Sequence, residues 1–240
     1  MTYGLGLLCR SGLVMASDSR SNAGVDQIAR VRKMATFEQP GTRAMILLSA
    51  GNLATTQSVT ESLRQQLGGG SSADLFAAHT LFDGARMIGD TLRQVIDRDA
   101  HHVSPHGDAG ASFLFGGQIQ GMPPRLFLIY PAGNFIEASD RCPYLQIGEN
   151  KYGKPILDRA FAYDKDLAEG CKLALLSFDA TMRSNLSVAP PIDLVRYRAD
   201  SLAVPPIFEF DRSDAYFQNL TQRYAEGLTE LVGSLPKLTT

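Results

Sequence analysis

The 240-residue sequence has few cysteines, no excess of charge of one sign and no long hydrophobic run. Its three cysteines are odd in number and far apart, which argues against a disulfide framework and against a zinc site. The 25 acidic and 23 basic side chains leave a net charge of −2, so no nucleic-acid partner is expected. No stretch approaches the roughly 20 apolar residues that a membrane-spanning helix needs. The N-terminus lacks a signal-peptide pattern, and we therefore expect a cytoplasmic protein.

The composition is that of a chain that folds. Apolar residues make up 44% of the sequence and charged residues 20%, and no low-complexity tract is present. The length lies within the range of one large domain, so we expect residues 1–240 to form a single domain. A domain of this size can bury a full core without the help of disulfides or metals.

Hydrophobic runs and turn signals predict blocks of strands that alternate with pairs of helices. The first block begins with a hairpin over residues 2–16, whose turn lies near Arg10 and Ser11. The order of blocks favours an α+β fold in which two antiparallel sheets stack face to face and helices cover their outer faces. Further strands are predicted at 33–37, 43–50, 111–119, 125–131, 135–138, 193–198 and 202–210, and helices at 55–67, 73–100 with Ser72 as N-cap, 154–163, 166–182 and 215–233.

Thr2 is a candidate nucleophile because it follows the initiator methionine. A small second residue normally permits removal of Met1, which would leave Thr2 with a free α-amine beside its own hydroxyl. The ordinary pKa of such an amine is about 7.7–8, so it can act as a base for that hydroxyl near neutral pH. Taken alone, a Met-Thr start is common and carries little weight.

The predicted hairpin brings further chemistry to the chain terminus. A turn near residues 10 and 11 pairs positions whose numbers sum to about 21, so Asp18 lies opposite Tyr3 and Ser19 opposite Thr2. Arg20 follows in the same segment. The alternative interpretation is an exposed Asp–Arg pair of little energetic value at the end of a strand.

Lys33 lies at the start of the next predicted strand. A cation near the Thr2 hydroxyl would favour its deprotonated form, and Asp18 could hold that cation in position. By spacing alone, a solvated basic edge is the preferred interpretation of Arg30, Arg32 and Lys33.

Several segments spread over most of the chain resemble one family. The stretch Thr2 to Gly6, the run Gly12 to Arg20, and Lys33 are similar to proteasome-type β-subunits, which are N-terminal-nucleophile (Ntn) hydrolases. The closer resemblance is to the bacterial Anbu family, the ancestral β-subunit homologues of the proteasome. Its marks are Asp18-Ser19-Arg20-Ser21-Asn22-Ala23-Gly24-Val25-Asp26, Ile147-Gly148-Glu149-Asn150-Lys151-Tyr152-Gly153-Lys154-Pro155, and Ser184-Asn185-Leu186-Ser187-Val188 with Pro190-Pro191-Ile192-Asp193.

This resemblance implies a four-layer αββα sandwich and a threonine peptidase that needs no metal and no organic cofactor. It implies Thr2 as nucleophile with its α-amine as base, Asp18 and Lys33 as the activating pair, the Gly51 amide as oxyanion donor, and Ser49 in the substrate pocket. Arg20 would support the pair. The resemblance also implies a peptide or protein substrate, a homo-oligomeric ring or open spiral, and association with transglutaminase-like and ATP-grasp-like proteins.

The sequence departs from active proteasome subunits at two supporting positions. Glu149 stands in Gly148-Glu149-Asn150 where those subunits have Gly-Ser-Gly, and Ser184 stands three residues before Ser187 where they have an aspartate, with Asn185 alongside. A carboxylate at Glu149 close to the amine would raise the pKa of that amine and weaken it as a base. The sequence therefore leaves two alternatives open: a weakly active or inactive scaffold, and an enzyme that transfers the acyl group to an amine.

Two other features suggest no separate site. The residues His101, His102, His106 and Asp108 match no defined metal-ligand spacing, and a polar surface loop is the preferred interpretation. The Gly68–Ser72 stretch lacks the lysine of a phosphate-binding loop and is interpreted as a connection between helices.

Overall fold

The computed structural model describes residues 2–23, 27–71 and 73–238. Three features predicted from the sequence lie outside the described residues. They are Met1, which is expected to be removed, residues 24–26 of the family motif, and the proposed helix cap Ser72.

Twelve strands and five helices are found in the described ranges. The strands are β1 (Tyr3–Cys9), β2 (Gly12–Asp18), β3 (Arg20–Ala23), β4 (Gln27–Arg30), β5 (Met34–Gln39), β6 (Arg43–Gly51), β7 (Ala111–Ile119), β8 (Arg125–Ile129), β9 (Phe135–Glu137), β10 (Tyr144–Gly148), β11 (Ile192–Arg198) and β12 (Phe208–Phe210). The helices are α1 (Leu53–Gln65), α2 (Leu81–Val103), α3 (Lys154–Ala160), α4 (Leu167–Ser184) and α5 (Ala215–Ser234).

The strands form two five-stranded antiparallel sheets and a separate two-stranded sheet of β3 and β4. One sheet has the order β10-β1-β2-β11-β12, and the other has the order β5-β6-β7-β8-β9. The first hairpin has the predicted register, since Gly4 pairs with Ser17 and their numbers sum to 21. The two-sheet α+β architecture predicted from the sequence is confirmed.

The core forms three layers of side chains that explain the continuous apolar runs. One layer packs α1 and α2 on the β5–β9 sheet, one packs α3, α4 and the start of α5 on the other sheet, and one lies between the two sheets. In β6, Met45 and Leu47 contribute to the first layer, whereas Ala44, Ile46 and Leu48 contribute to the layer between the sheets. Residues 44–48 are therefore buried on both faces of the sheet, as their continuous apolar run predicted.

The predicted helix over 73–100 was wrong at its start. Its N-terminal part is non-helical because Asp74 accepts hydrogen bonds from the backbone N–H groups of Gly70 and Phe76. The helix begins at Leu81, where Thr80 and Asp83 form a reciprocal capping box.

Three strands were missed and one was predicted too long. β3, β4 and β10 are short or polar segments, and β10 pairs with the distant β1, so local pattern did not reveal them. Of the strand predicted over 202–210, only Phe208–Phe210 pairs with β11. Within the described residues, no helix is long and apolar enough to span a membrane.

Candidate active site

Strand β1 begins next to β10, and this contact positions Thr2. The Thr2 carbonyl accepts a hydrogen bond of 2.7 Å from the backbone N–H of Glu149. The preceding Gly148 has a φ of +76°, and a Cβ there would lie 1.9 Å from the Thr2 carbonyl oxygen. Only glycine permits this close approach. Thr2 itself is half-buried.

Asp18 lies at the end of β2, beside the first residues of β1. Tyr3 donates its backbone N–H to Asp18 Oδ1 at 3.0 Å, as the predicted register requires. Arg20 donates its backbone N–H to Asp18 Oδ2 at 3.2 Å. The Asp18 side chain is fully buried, so these donors and the adjacent cation hold both of its oxygens in place.

Lys33 forms the buried ion pair with Asp18. Its Nζ lies 2.9 Å from Asp18 Oδ1 and also donates to the carbonyl of Arg20. Burial raises the pKa of Asp18 and lowers the pKa of Lys33, because each charge loses solvation, and the ion pair opposes both shifts. Lys33 therefore gives up a proton more readily than a solvated lysine.

Thr2, Lys33, Ser49 and Gly51 all line one cleft of about 420 Å³. Its lining includes both polar and apolar side chains, and α1 contributes several of them. The lining residues of α1 run from Leu53 to Arg64, which are twelve residues or about 16 Å of helix. The cleft is therefore longer than a single side chain. The apolar lining includes Val31, Met34, Ala35, Leu47 and Leu53, and α1 adds Thr56, Gln57, Thr60, Glu61 and Arg64.

Gly51 presents its backbone N–H to this cleft. It ends β6 with a φ of +112°, and a Cβ there would lie 2.5 Å from the Gly110 carbonyl oxygen. Ser49 N–H donates to the Lys33 carbonyl at 3.0 Å, while Asn52 N–H donates to Gly110 on the opposite side. Because successive N–H groups of a strand alternate in direction, the Gly51 N–H points to the same side as that of Ser49. At that position β5 has not yet begun, so the N–H faces the cleft.

The predicted supporting residues are partly brought together. Asn185 Nδ2 donates to Glu149 Oε2 at 2.9 Å, and the backbone N–H of Ser187 donates to Asn185 Oδ1 at 2.9 Å. The Arg20 guanidinium donates to the carbonyl of Leu186 at 2.7 Å. Ser184 is the exposed last residue of α4, and no side-chain hydrogen bond joins it to another described residue. The loop after α4 is thus tied to the chain terminus mainly through Asn185.

A second ion-pair group beside Lys33 was missed by the sequence analysis. Arg32 donates through Nε to Asp193 Oδ2 at 3.3 Å and also pairs with Glu209. Asp193 is buried, whereas the side chain of Arg32 is 51% exposed. Opposite charges alone could not have identified this group, because its members come from a loop, β11 and β12.

None of the histidines of the segment 101–106 is among the residues that line this cleft. His101 and His102 lie in the exposed last turn of α2, and their rings are 5.5 Å apart. No group of three or more potential metal-ligating side chains occurs in the part of the chain that the structure describes.

Solved structures match the whole chain, although no protein-family model and no curated protein matches it. The (Gly-1) mutant of Anbu from Hyphomicrobium sp. strain MC1 has a TM-score of 0.93 and 44% identity, and the alignment covers 100% of both chains. Anbu from Yersinia bercovieri has a TM-score of 0.93 and 43% identity, with 99% of this chain and 100% of that chain covered. The helical assembly of the Anbu complex from Pseudomonas aeruginosa has a TM-score of 0.94 and 43% identity, with coverage of 99% and 98%.

These likenesses extend well beyond topology, since they combine full coverage with more than 40% identity. The α+β fold is therefore that of the Ntn hydrolases related to the proteasome. Within that class, the chain belongs to the Anbu (ancestral β-subunit) family, as its sequence motifs predicted.

Proposed function

We propose that this protein is an N-terminal threonine amidohydrolase that cleaves peptide or isopeptide bonds. The observation that carries the proposal is the buried Lys33–Asp18 pair, which opens into the same cleft as Thr2 and Gly51. Desolvation offsets much of the attraction within a buried ion pair, so stability alone is a weak reason for this pair, and a chemical role for Lys33 is favoured. The length of the cleft suits several residues of an extended peptide, at about 3.3 Å per residue.

In the first step, Thr2 Oγ would attack the substrate carbonyl. The hydroxyl proton passes to the neutral Thr2 α-amine, and the Lys33 ammonium lowers the pKa of the hydroxyl. The developing oxyanion accepts a hydrogen bond from the Gly51 N–H, a type of contact worth roughly 3–4 kcal/mol of transition-state stabilisation. The C–N bond then breaks, the departing amine takes the proton, and an ester on Thr2 remains.

In the second step, water would hydrolyse that ester. The Thr2 α-amine, neutral again, accepts a proton from the attacking water, and the Gly51 N–H stabilises the second oxyanion. Collapse of this intermediate breaks the C–O bond, returns the proton to Thr2 Oγ and releases a carboxylic acid. Ser49 and the apolar residues of the cleft lining would bind the side chain on the acyl side of the scissile bond.

We further propose that the protein works as a homo-oligomer, as a ring or an open spiral. A full-length neighbour at 43% identity has been solved as a helical assembly of the Anbu complex. The family resemblance also supports a cytoplasmic location and transglutaminase-like and ATP-grasp-like partners.

The decisive experiment is covalent labelling of Thr2. Intact-mass measurement first establishes whether Met1 has been removed, because a retained Met1 would leave no free threonine amine. A peptide epoxyketone should then add to the protein at one equivalent per chain, with the adduct on Thr2. Thr2→Ala should give no adduct and serves as the control. Absence of any adduct on the processed wild-type protein would contradict the proposal.

A second candidate is a proteasome-like scaffold with little or no peptidase activity. Glu149 and Ser184 favour it, because they stand where active subunits have other supporting groups. The scaffold predicts assembly without labelling, so the same experiment separates the two candidates.

Transfer of the acyl group to an amine shares the first step. Adding a primary amine to a reaction with a cleavable peptide would separate transfer from hydrolysis. Transfer predicts an amide product that increases with amine concentration, whereas hydrolysis predicts the free acid.

A further inference from the structure

Glu149 is a buried carboxylate that the threonine mechanism does not use. The residue is 7% exposed, and its two side-chain oxygens have different partners. Asn185 Nδ2 donates to Oε2 at 2.9 Å, and the backbone N–H of Lys151 donates to Oε1 at 3.3 Å. The carboxylate is therefore held in one orientation by two hydrogen-bond donors.

The pairing of β1 with β10 places Thr2 opposite this residue. Leu8 N–H donates to Pro143 on the β10 side, while Tyr3 N–H donates to Asp18 on the β2 side. In an antiparallel strand, the N–H and C=O of one residue point the same way and successive residues alternate. Since the Thr2 carbonyl accepts from the backbone N–H of Glu149, the Thr2 N–H also points toward β10 and away from β2. Thr2 stands directly opposite Glu149, one position beyond the Tyr3–Gly148 pair, so their side chains are cross-strand neighbours, with Cβ atoms roughly 5 Å apart in a regular ladder.

We propose that Glu149, fixed by Asn185, holds the Thr2 α-amine in its ammonium form near neutral pH and thereby restrains the nucleophile. Asn185 is a positioning residue, because it acts only through the carboxylate. The inference rests on the proposed function, in that it concerns the base of the same reaction. It makes the site slow at neutral pH and faster at alkaline pH.

The other charged residues near the chain terminus have partners of their own. On the β2 side, Asp18 is compensated by Lys33 at 2.9 Å. The Arg20 guanidinium is directed at the carbonyl of Leu186, and Lys151 contributes its backbone N–H to Glu149. Among the described residues, Glu149 forms no ion pair with a cation. Its carboxylate is therefore the candidate partner of the Thr2 amine on the β10 side.

The test is a direct titration of the amine. Protein is produced with Thr2 as its first residue, by cleavage of a fused leader, and with ¹³C-labelled threonine. The pKa of the amine is read from the chemical shift of the terminal threonine as a function of pH. Glu149→Gln should lower that pKa by about one unit, because an adjacent opposite charge shifts a pKa by roughly 1–3 units. Glu230→Gln, which removes an exposed carboxylate on α5, should leave the amine pKa unchanged.

An exchange of the two side chains tests the role of Asn185. Asn185→Asp alone brings two carboxylates together and should lower the melting temperature by several degrees. The double variant Glu149→Gln with Asn185→Asp restores a donor–acceptor pair and should recover most of that loss. It should keep the lowered amine pKa, because the charge now lies at residue 185.

The outcomes separate this inference from the proposed function. An amine pKa that is equal in wild type and Glu149→Gln would overturn the inference, whatever the reactivity of Thr2. Failure of the exchanged pair to recover stability would overturn the role of Asn185. If Glu149→Gln lowers the pKa of the Thr2 amine by one unit, the ratio of neutral to protonated amine at a given pH increases tenfold. Epoxyketone labelling at pH 7 should then become up to about tenfold faster. A lowered pKa with no labelling in any variant would keep the inference and contradict the proposed function.

Discussion

Arg32 and Lys33 are consecutive residues, and each forms an ion pair, but the two pairs differ in burial. The Lys33 side chain is 6% exposed and its partner Asp18 is fully buried. The Arg32 side chain is 51% exposed and bridges buried Asp193 and exposed Glu209. Both cations thus anchor the same short segment before β5, one within the site and one at its rim.

The difference separates a chemical role from a structural one. Solvent screens the Arg32 pairs, so their strength is limited and they mainly fix the path of the chain. The Lys33 charge is shielded from solvent and therefore acts strongly on groups in the cleft. Four predictions test this contrast.

The largest effect is expected from Lys33→Met. Asp18 would remain buried without its cation, which typically costs about 3–5 kcal/mol. Urea unfolding at pH 7 should show this loss, and labelling of Thr2 should be nearly abolished. A loss below about 1 kcal/mol would mean that the pair behaves like a solvated one.

Arg32→Gln should have an intermediate effect on stability. Asp193 loses the guanidinium but remains partly reachable by water through the exposed position of Arg32, so we expect a loss of about 1–3 kcal/mol. The same urea unfolding measures it. Because Lys33 and Asp18 stay paired, labelling of Thr2 should fall far less than in Lys33→Met. Equal losses of labelling in both variants would remove the distinction between the two pairs.

The pH dependence of labelling should report Lys33. Burial lowers the pKa of Lys33 below the ordinary lysine value of 10.5. As the pH rises, Lys33 therefore loses its positive charge at a lower pH than a solvated lysine would. Labelling should therefore decline on the alkaline side by about tenfold per pH unit once the pKa is passed. Lys33→Arg, which keeps its charge, should lack this decline. An unchanged decline in the arginine variant would assign it to another group.

The smallest effect is expected from Glu209→Gln. Its pair with Arg32 lies at the surface, where such pairs contribute at most about 1 kcal/mol. The loss should shrink further at high salt, since salt screens exposed charges. Thermal melts at low and high salt measure both. A larger, salt-independent loss would show that the rim pair is effectively buried.

Much of the fold was predictable because its elements carry local signals. The hairpin turn near Arg10 defines the register of β1 and β2, and that register alone brings Asp18 beside Tyr3. The apolar run in β6 likewise indicates a strand buried on both faces. The helix start at Leu81 was missed because its capping box follows a stretch that also has helical spacing.

The candidate site was predictable in part, and mainly through the family motifs. Thr2, Asp18, Lys33, Ser49 and Gly51 were singled out from the sequence, and the structure brings Thr2, Lys33, Ser49 and Gly51 to one cleft. The Arg32–Asp193 pair and the length of the cleft along α1 were not predicted. Both features depend on contacts between segments that are far apart in the chain, and local residue spacing cannot predict such contacts.

The sequence by itself determined the hairpin, the layered α+β order and the residue types available at the chain terminus. These follow from turn chemistry and hydrophobic period, which act over a few neighbouring residues. Only the tertiary structure decided that Lys33 is buried against Asp18, that the Gly51 N–H faces the cleft, and that Asn185 holds Glu149 beside Thr2. Burial and charge pairing depend on which distant segments pack together, and that is a property of the folded chain.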